Sequence, residues 1–430
     1  MRSTSCFKDK PDNSLNQKHG HKSITISTLR SFLINMKGNT TMSLYKICMT
    51  VFVAATISLL SGCSDNKEAK APKKAAGEER PLIIGIVGPE TGEEASYGTS
   101  VVEGALAAAK RFNAQGGIAG KEIKVLHFDD KNDIAMTNEI VKNLIRQKAI
   151  AILAAPTGSS TFSPIYLVND SKTIFVSVGS RRHLKASGPY VFRTAVPDET
   201  ATEDLIKYAI TELGYVNYAL VTSANDEFSL DLSSMFMKAL DKANGVIKVR
   251  ADVYDTFTGG ANMGAVISAI KGSPDPLHGV IFTGGASEGV LLAQEMKKAG
   301  LTLPIIGGED LFSEEYLQSG DAVNETLMYT TFSTDSKSQK MDEFMKDYGK
   351  AKPDRFAALA YDTFMLIAEA IKESGSTDPS IVRETLINRK DCEGATGKTS
   401  FTSENMPVKH PILCRIKKGT DGERSFVLKQ

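Results

Sequence analysis

Thr157-Gly158-Ser159-Ser160-Thr161 sets four hydroxyls and a glycine between an apolar run, Ala149 to Ala155, and a helical stretch. Hydroxyls and free backbone N–H groups at a helix start suit a carboxylate, and the helix dipole adds to the attraction. The same cluster would cap that helix, and the two roles are compatible. A second polar loop, Ile306-Gly307-Gly308-Glu309-Asp310, ends another apolar run with two acids, the groups an ammonium needs. No nucleophile is set beside a base. There is no Gly-x-Ser-x-Gly elbow, and the histidines at 19, 21, 127, 183, 278 and 410 lack metal-ligand spacing. Gly394-Ala395-Thr396-Gly397-Lys398-Thr399 contains a Gly-Lys-Thr, but Cys392 stands where a phosphate loop needs its first glycine. The glycines of Gly284 to Gly289 are misplaced for a dinucleotide site. The residues point to binding rather than catalysis, with no cofactor and no metal.

Such loops have to be carried by regular elements, and the chain alternates strands and helices throughout. Leu82 to Val87 is a nearly continuous apolar run, the mark of a strand covered on both faces. Val101, Ala105, Leu106, Ala109 and Phe112 then recur at helical spacing, and Gly116-Gly117 ends that helix. Ile123 to Phe128 is the next strand, so the chain opens with a βαβ unit whose first loop lies where open α/β sheets hold ligands. Further strands are expected at Thr173 to Val178, Tyr218 to Thr222, Val246 to Val253, Gly279 to Phe282 and Pro304 to Ile306. Helices are expected at Leu291 to Ala299, Ser338 to Tyr348 and Phe356 to Lys372. At 430 residues the chain exceeds one ordinary core. Lys plus Arg and Asp plus Glu both number 51, so no net field recruits nucleic acid.

The wording of the opening unit is more specific than its pattern. Val87-Gly88-Pro89, Thr91-Gly92, Tyr97-Gly98, Asn113, Gly116-Gly117-Ile118 with Gly120, and Asp129-Asp130 follow in one order. They resemble the opening of type I periplasmic substrate-binding proteins, in the branched-chain amino acid branch that serves ABC transporters. Pro189 to Thr194 and Glu325 to Phe332 resemble that family's crossings between lobes, and the likeness runs from Pro81 onward. It implies an α/β fold of two doubly wound parallel-sheet lobes joined by three crossings, with residues 81–195 and 330–390 in the first lobe and 196–329 and 391–430 in the second. It implies a protein that binds without transforming: a small ligand, an apolar α-amino acid, held between the lobes and delivered to a membrane permease. The resemblance places the ligand's carboxylate on Ser159 or Ser160 and on Ser180, with Arg181 as the rival for the last position. Its ammonium falls to Glu309, with Asp310 as the fallback. Tyr97 and Phe228 become aromatic walls. Phe228 and Ala286 stand where relatives place tyrosines, and Ser229 where they place glycine, so amides and other small metabolites stay open as ligands. A same-fold sensor or envelope scaffold with a degenerate cleft is the other alternative.

Residues 1–41 are polar and aperiodic, either disordered or an upstream extension with a mis-assigned start. Residues 42–62 carry Lys46 and an apolar core from Ile47 to Leu60, too short for the about 20 residues of a membrane span but suited to a signal peptide. Leu60-Ser61-Gly62-Cys63 resembles the bacterial lipobox, whose cysteine receives lipid; residues 63–80 then form a solvated tether. This places the mature protein outside the cytoplasm, anchored in a membrane. Cys6 and Cys48 fall in segments expected to be removed and Cys63 is expected to be acylated, which leaves Cys392 and Cys414 as a disulfide pair, since the rival, a zinc site, lacks a second pair to complete it. Mass spectrometry of the native N-terminus should find an acylated Cys63 as the first residue, and Cys63→Ala should release the protein from membranes. Recovery of a chain that retains Met42 contradicts the anchor.

Overall fold

Each apolar strand alternates its side chains between two cores, as a strand covered on both faces must. In β1 (Leu82–Gly88), Ile84 and Ile86 enter one core while Val87 enters the other. The computed structural model describes residues 80–429, apart from 181–186, 225, 256–259 and 351. The expected upstream extension and signal peptide, Cys63, the expected tether up to residue 79 and Arg181 lie outside the described residues. No helix among the described residues is long and apolar enough to cross a membrane.

The first lobe continues through α1 (Ala95–Ala114), β2 (Ile123–Asp129), α2 (Ile134–Arg146), β3 (Ala151–Ala154), α3 (Ser159–Phe162), α4 (Ile165–Asp170), β4 (Ile174–Ser177) and β5 (Val191–Arg193). Its sheet has the order β2-β1-β3-β4-β5, all parallel. The second lobe runs through α5 (Asp198–Thr211), β6 (Asn217–Ser223), α6 (Glu227–Ala243), β7 (Val246–Val253), α7 (Met263–Lys271), β8 (Gly279–Phe282), α8 (Ala286–Lys298), β9 (Ile305–Gly307), α9 (Glu314–Gln318) and β10 (Leu327–Thr330). These five strands are parallel and repeat the first lobe's order, β7-β6-β8-β9-β10. In both lobes the first strand is therefore internal, and the chain leaves it toward opposite sides. A crevice opens at that point beyond the carboxyl ends of the strands.

The chain then returns to the first lobe as α10 (Gln339–Tyr348), α11 (Arg355–Ser374) and α12 (Pro379–Asn388). Helix α11 lies directly on α1. A Cβ on Gly104 would stand 2.0 Å from the Ala357 carbonyl oxygen, so only glycine permits this approach. The tail divides between the lobes. β11 (Cys392–Gly394), β12 (Gly397–Phe401) and β13 (Pro407–Val408) form a separate small sheet, and Ala395 and Phe401 enter the first lobe's core. Only β14 (Ile412–Lys418) and β15 (Arg424–Leu428) join the second sheet, antiparallel at its edge. This corrects the assignment of all of residues 391–430 to the second lobe. The cause is Asp362 on α11, whose carboxylate accepts the Ala395 and Thr396 N–H groups at 2.9 and 2.8 Å and docks the β11–β12 turn. The Gly-Lys-Thr sequence thus opens strand β12, directly after the docked turn. The same division overturns the Cys392–Cys414 disulfide. Both are free thiols, because the hairpin carries Cys392 to the first lobe, beside Arg389, while Cys414 lies inside the second sheet opposite Met328. Burial pushes the Cys414 thiol up to about 12.

The three crossings meet in a buried polar layer. The Tyr329 hydroxyl, at the second crossing, donates to Asp198 at the first over 2.6 Å. At the third, Lys409 is only 2% exposed and donates its ammonium to Thr396, which in turn donates to Asp362. Burial lowers Lys409 from 10.5 to about 8, against the pull of Asp362 and Glu309. Below about pH 8 the fold carries a desolvated charge. Between about 8 and 10.5 the unfolded chain holds that proton and the fold does not, so stability should rise with pH there. Urea titrations at pH 7.5 and 10 should show wild type gaining on Lys409→Met by a few kcal/mol. A difference independent of pH contradicts the buried ammonium.

Candidate functional site

The loops that follow β1, β3 and β4 converge with the start of α11 on one cavity of 490 Å³, and the second lobe closes it with Phe228 and Asp310. Tyr97, Ser159, Ser180 and Phe228, drawn from separate stretches of sequence, all line it, together with Glu94, Phe162, Arg355 and Phe356.

The Ser/Thr loop assigns its hydroxyls unequally. Thr161 Oγ1 donates to the Ala155 carbonyl at 2.6 Å and accepts the Thr157 N–H at 2.8 Å. Ser160 is 2% exposed; its Oγ donates to Asn132 Oδ1 at 2.5 Å and lies 2.9 Å from Thr157 Oγ1. Ser160 therefore braces the loop and does not face the cavity. Gly158, at φ 85°, turns the chain so that Ser159 is left exposed, and its hydroxyl meets no partner among the described residues.

The acidic loop also divides its two residues. Glu309 opens a single 3-10 turn, Glu309–Leu311, and turns inward, with 1% exposure. It accepts the Thr331 N–H at 2.5 Å and the Thr330 hydroxyl at 3.1 Å, which fastens β9 to the second crossing. The cavity wall carries Asp310 instead. One turn of helix cannot present both neighbours to one side, and the inward place goes to the residue nearest the crossing.

Aromatic groups complete the wall. Tyr97 meets Phe356 edge-on at 5.0 Å between ring centroids, a favourable geometry for two quadrupoles. Gly179 has φ 96°, and a Cβ there would stand 2.7 Å from the Phe356 ring. Phe228 is the second residue of α6, where Asp226 accepts the N–H groups of Phe228 and Ser229 at 3.2 and 2.9 Å.

Arg355 was not anticipated. The expected helix began at Phe356, one residue later, and an arginine at a helix end reads as solvated. Its position is set by Asp354, which accepts the Ala357 N–H at 2.9 Å and the Ser100 hydroxyl of α1 at 2.5 Å. The guanidinium lies over the Phe356 ring at 4.8 Å, with Asp310 and Glu309 oxygens at 3.9 and 4.0 Å. Among the described residues no group of three or more His, Cys, Asp and Glu is placed to hold a metal ion.

Residues 81–420 match the family described as periplasmic binding protein. The chain belongs to that family, as a type I member of the branched-chain amino acid branch. The Leu/Ile/Val-binding protein homolog 3 of Brucella melitensis is 26% identical over 352 residues, 80% of this chain and 92% of that protein. The crystal structure of LivJ from Streptococcus pneumoniae in complex with isoleucine shares 23% identity and a TM-score of 0.62, over 81% of this chain and all of that one. A solute-binding protein of an ABC transporter from Rhodopseudomonas palustris, solved with 3,4-dihydroxybenzoic acid, shares 21% identity and a TM-score of 0.65, over 81% of this chain and 96% of that one.

Ser159→Ala should leave thermal stability within about 0.5 kcal/mol and weaken ligand binding measured by calorimetry. Ser160→Ala should do the reverse, costing about 1–2 kcal/mol of stability by stranding Asn132 and Thr157. Equal affinity losses from the two substitutions contradict this division.

Proposed function

We propose that the protein is an extracytoplasmic receptor of an ABC importer, tethered through lipid on Cys63, that captures a small carboxylate-bearing ligand between its lobes. The ligand is an apolar α-amino acid, with its carboxylate toward Ser159 and Ser180, its ammonium toward Asp310 and its side chain against Tyr97, Phe356 and Phe228. One observation carries the reading. A single cavity opposes a hydroxyl-bearing wall on the first lobe to an acid on the second. The names of relatives that bind Leu, Ile and Val support the ligand class. Glu309, the acid favoured from sequence, takes a different part in this reading: it holds the second crossing, with the Arg355 guanidinium 4.0 Å away.

The test is a thermal-shift panel of amino acids, amides and small carboxylates on ligand-stripped protein. A ligand of micromolar affinity, about −8 kcal/mol, should stabilise the fold by about 2.7 kcal/mol at a hundredfold excess over its Kd. Asp310→Ala should cost several kcal/mol of affinity by leaving a desolvated ammonium unpaired. Tyr97→Ala should cost less, since it removes stacking rather than charge. Amides that shift the protein while amino acids do not would overturn the ligand class. A panel without a single shift would favour a scaffold or sensor with a degenerate cleft.

A further inference from the structure

Three groups on the first lobe's side of the cavity can meet an anion: Ser159, Ser180 and Arg355. The hydroxyls are neutral and weak. Arg355 brings a full charge and a planar fork of N–H donors that matches the two oxygens of a carboxylate. Its distances to Asp310 and Glu309, 3.9 and 4.0 Å, exceed hydrogen-bond range, and it makes no hydrogen bond among the described residues. Its side chain is 28% exposed. Glu309 is already engaged by Thr330 and Thr331, so it has little to gain from drawing the guanidinium closer. Stacking on Phe356 and the Asp354 cap hold the fork in place before a ligand arrives, which lowers the ordering cost of binding.

We infer that Arg355 is the residue that anchors the ligand's carboxylate and sets the cleft's preference for carboxylates over their neutral amides. This rests on the proposed ligand-binding function and deepens it. The second lobe's acids hold the guanidinium across the cleft at long range. A ligand carboxylate entering beside Ser159 and Ser180 offers it close, charge-assisted hydrogen bonds. A neutral carboxamide brings one oxygen without charge and an NH2 group that the guanidinium cannot accept from.

The experiment is calorimetry on ligand-stripped protein with matched probes: leucine and leucinamide, phenylalanine and phenylalaninamide, benzoate and benzamide. For any pair that binds, wild type should prefer the carboxylate by about a hundredfold, the range of hydrogen bonds to charged groups. Arg355→Gln should shrink that preference to less than about fivefold, chiefly through weaker carboxylate binding. Arg355→Lys keeps the charge without the fork and should fall between. If Arg355→Gln does not fold, the lysine variant decides. An intermediate preference at an unchanged melting temperature supports the anchor, and a wild-type preference overturns it. The anchor is also overturned if Arg355→Gln keeps the wild-type preference, or loses both members of a pair equally, because Arg355 would then only brace the cleft wall. Wild type that binds amides as well as carboxylates overturns the anchor but leaves the receptor reading standing. A wild type that binds no probe overturns the receptor reading and the anchor with it.

Discussion

The Glu309 carboxylate, buried where the second lobe meets the crossing strands, decides how both lobes present themselves. A desolvated carboxylate must be met by donors, and here the crossing supplies them, from the Thr331 N–H and the Thr330 hydroxyl. That commitment fixes the end of β9 against the chain passing back to the first lobe. It also turns Asp310 outward into the cavity and sets a negative charge opposite Arg355 on the other lobe. The same charge draws on Lys409 in the third crossing. One buried acid thus links the hinge and the binding wall.

Two lobes that share a strand order but differ in the groups at their strand ends are suited to grip a zwitterion from two sides. The first lobe contributes hydroxyls, Arg355, Glu94 and three aromatic rings; the second contributes Asp310 and Phe228. A ligand that touches both walls gains its full binding free energy only when the lobes approach, which is the physical basis of hinge closure. The hinge is three strands of backbone around a polar layer. Tyr329, Asp198, Thr396 and Lys409 give it hydrogen bonds with defined partners rather than an apolar contact that could slide.

Much of this was legible in the sequence because strands buried on both faces write continuous apolar runs. Val246 to Val253 and Gly279 to Phe282 appear in the structure with the bounds expected, and the opening βαβ unit stands in the predicted order. The site was legible by residue type and less so by orientation. Four hydroxyls in five residues announce a polar site, yet only the hydrogen bonds to Ala155 and Asn132 reveal which of them the loop itself consumes. Glu309 and Asp310 are adjacent acids, and a single 3-10 turn separates their fates. Arg355 carries no signal in one dimension, because its role comes from a helix packed on α1 and from acids on the other lobe. The tail misled for a similar reason. Asp362 captures a turn some thirty residues downstream, and that contact separates two cysteines that composition alone had paired.

A ligand-bound crystal structure would test the account most directly, because the central claim concerns the ligand's orientation between walls of opposite chemistry. The ligand's carboxylate should lie against Ser159, Ser180 and Arg355 and its cationic group within hydrogen-bond distance of Asp310, with Glu309 still bound to Thr330 and Thr331. A ligand in the reverse orientation, or one held by Glu309 after its release from the crossing, would contradict it.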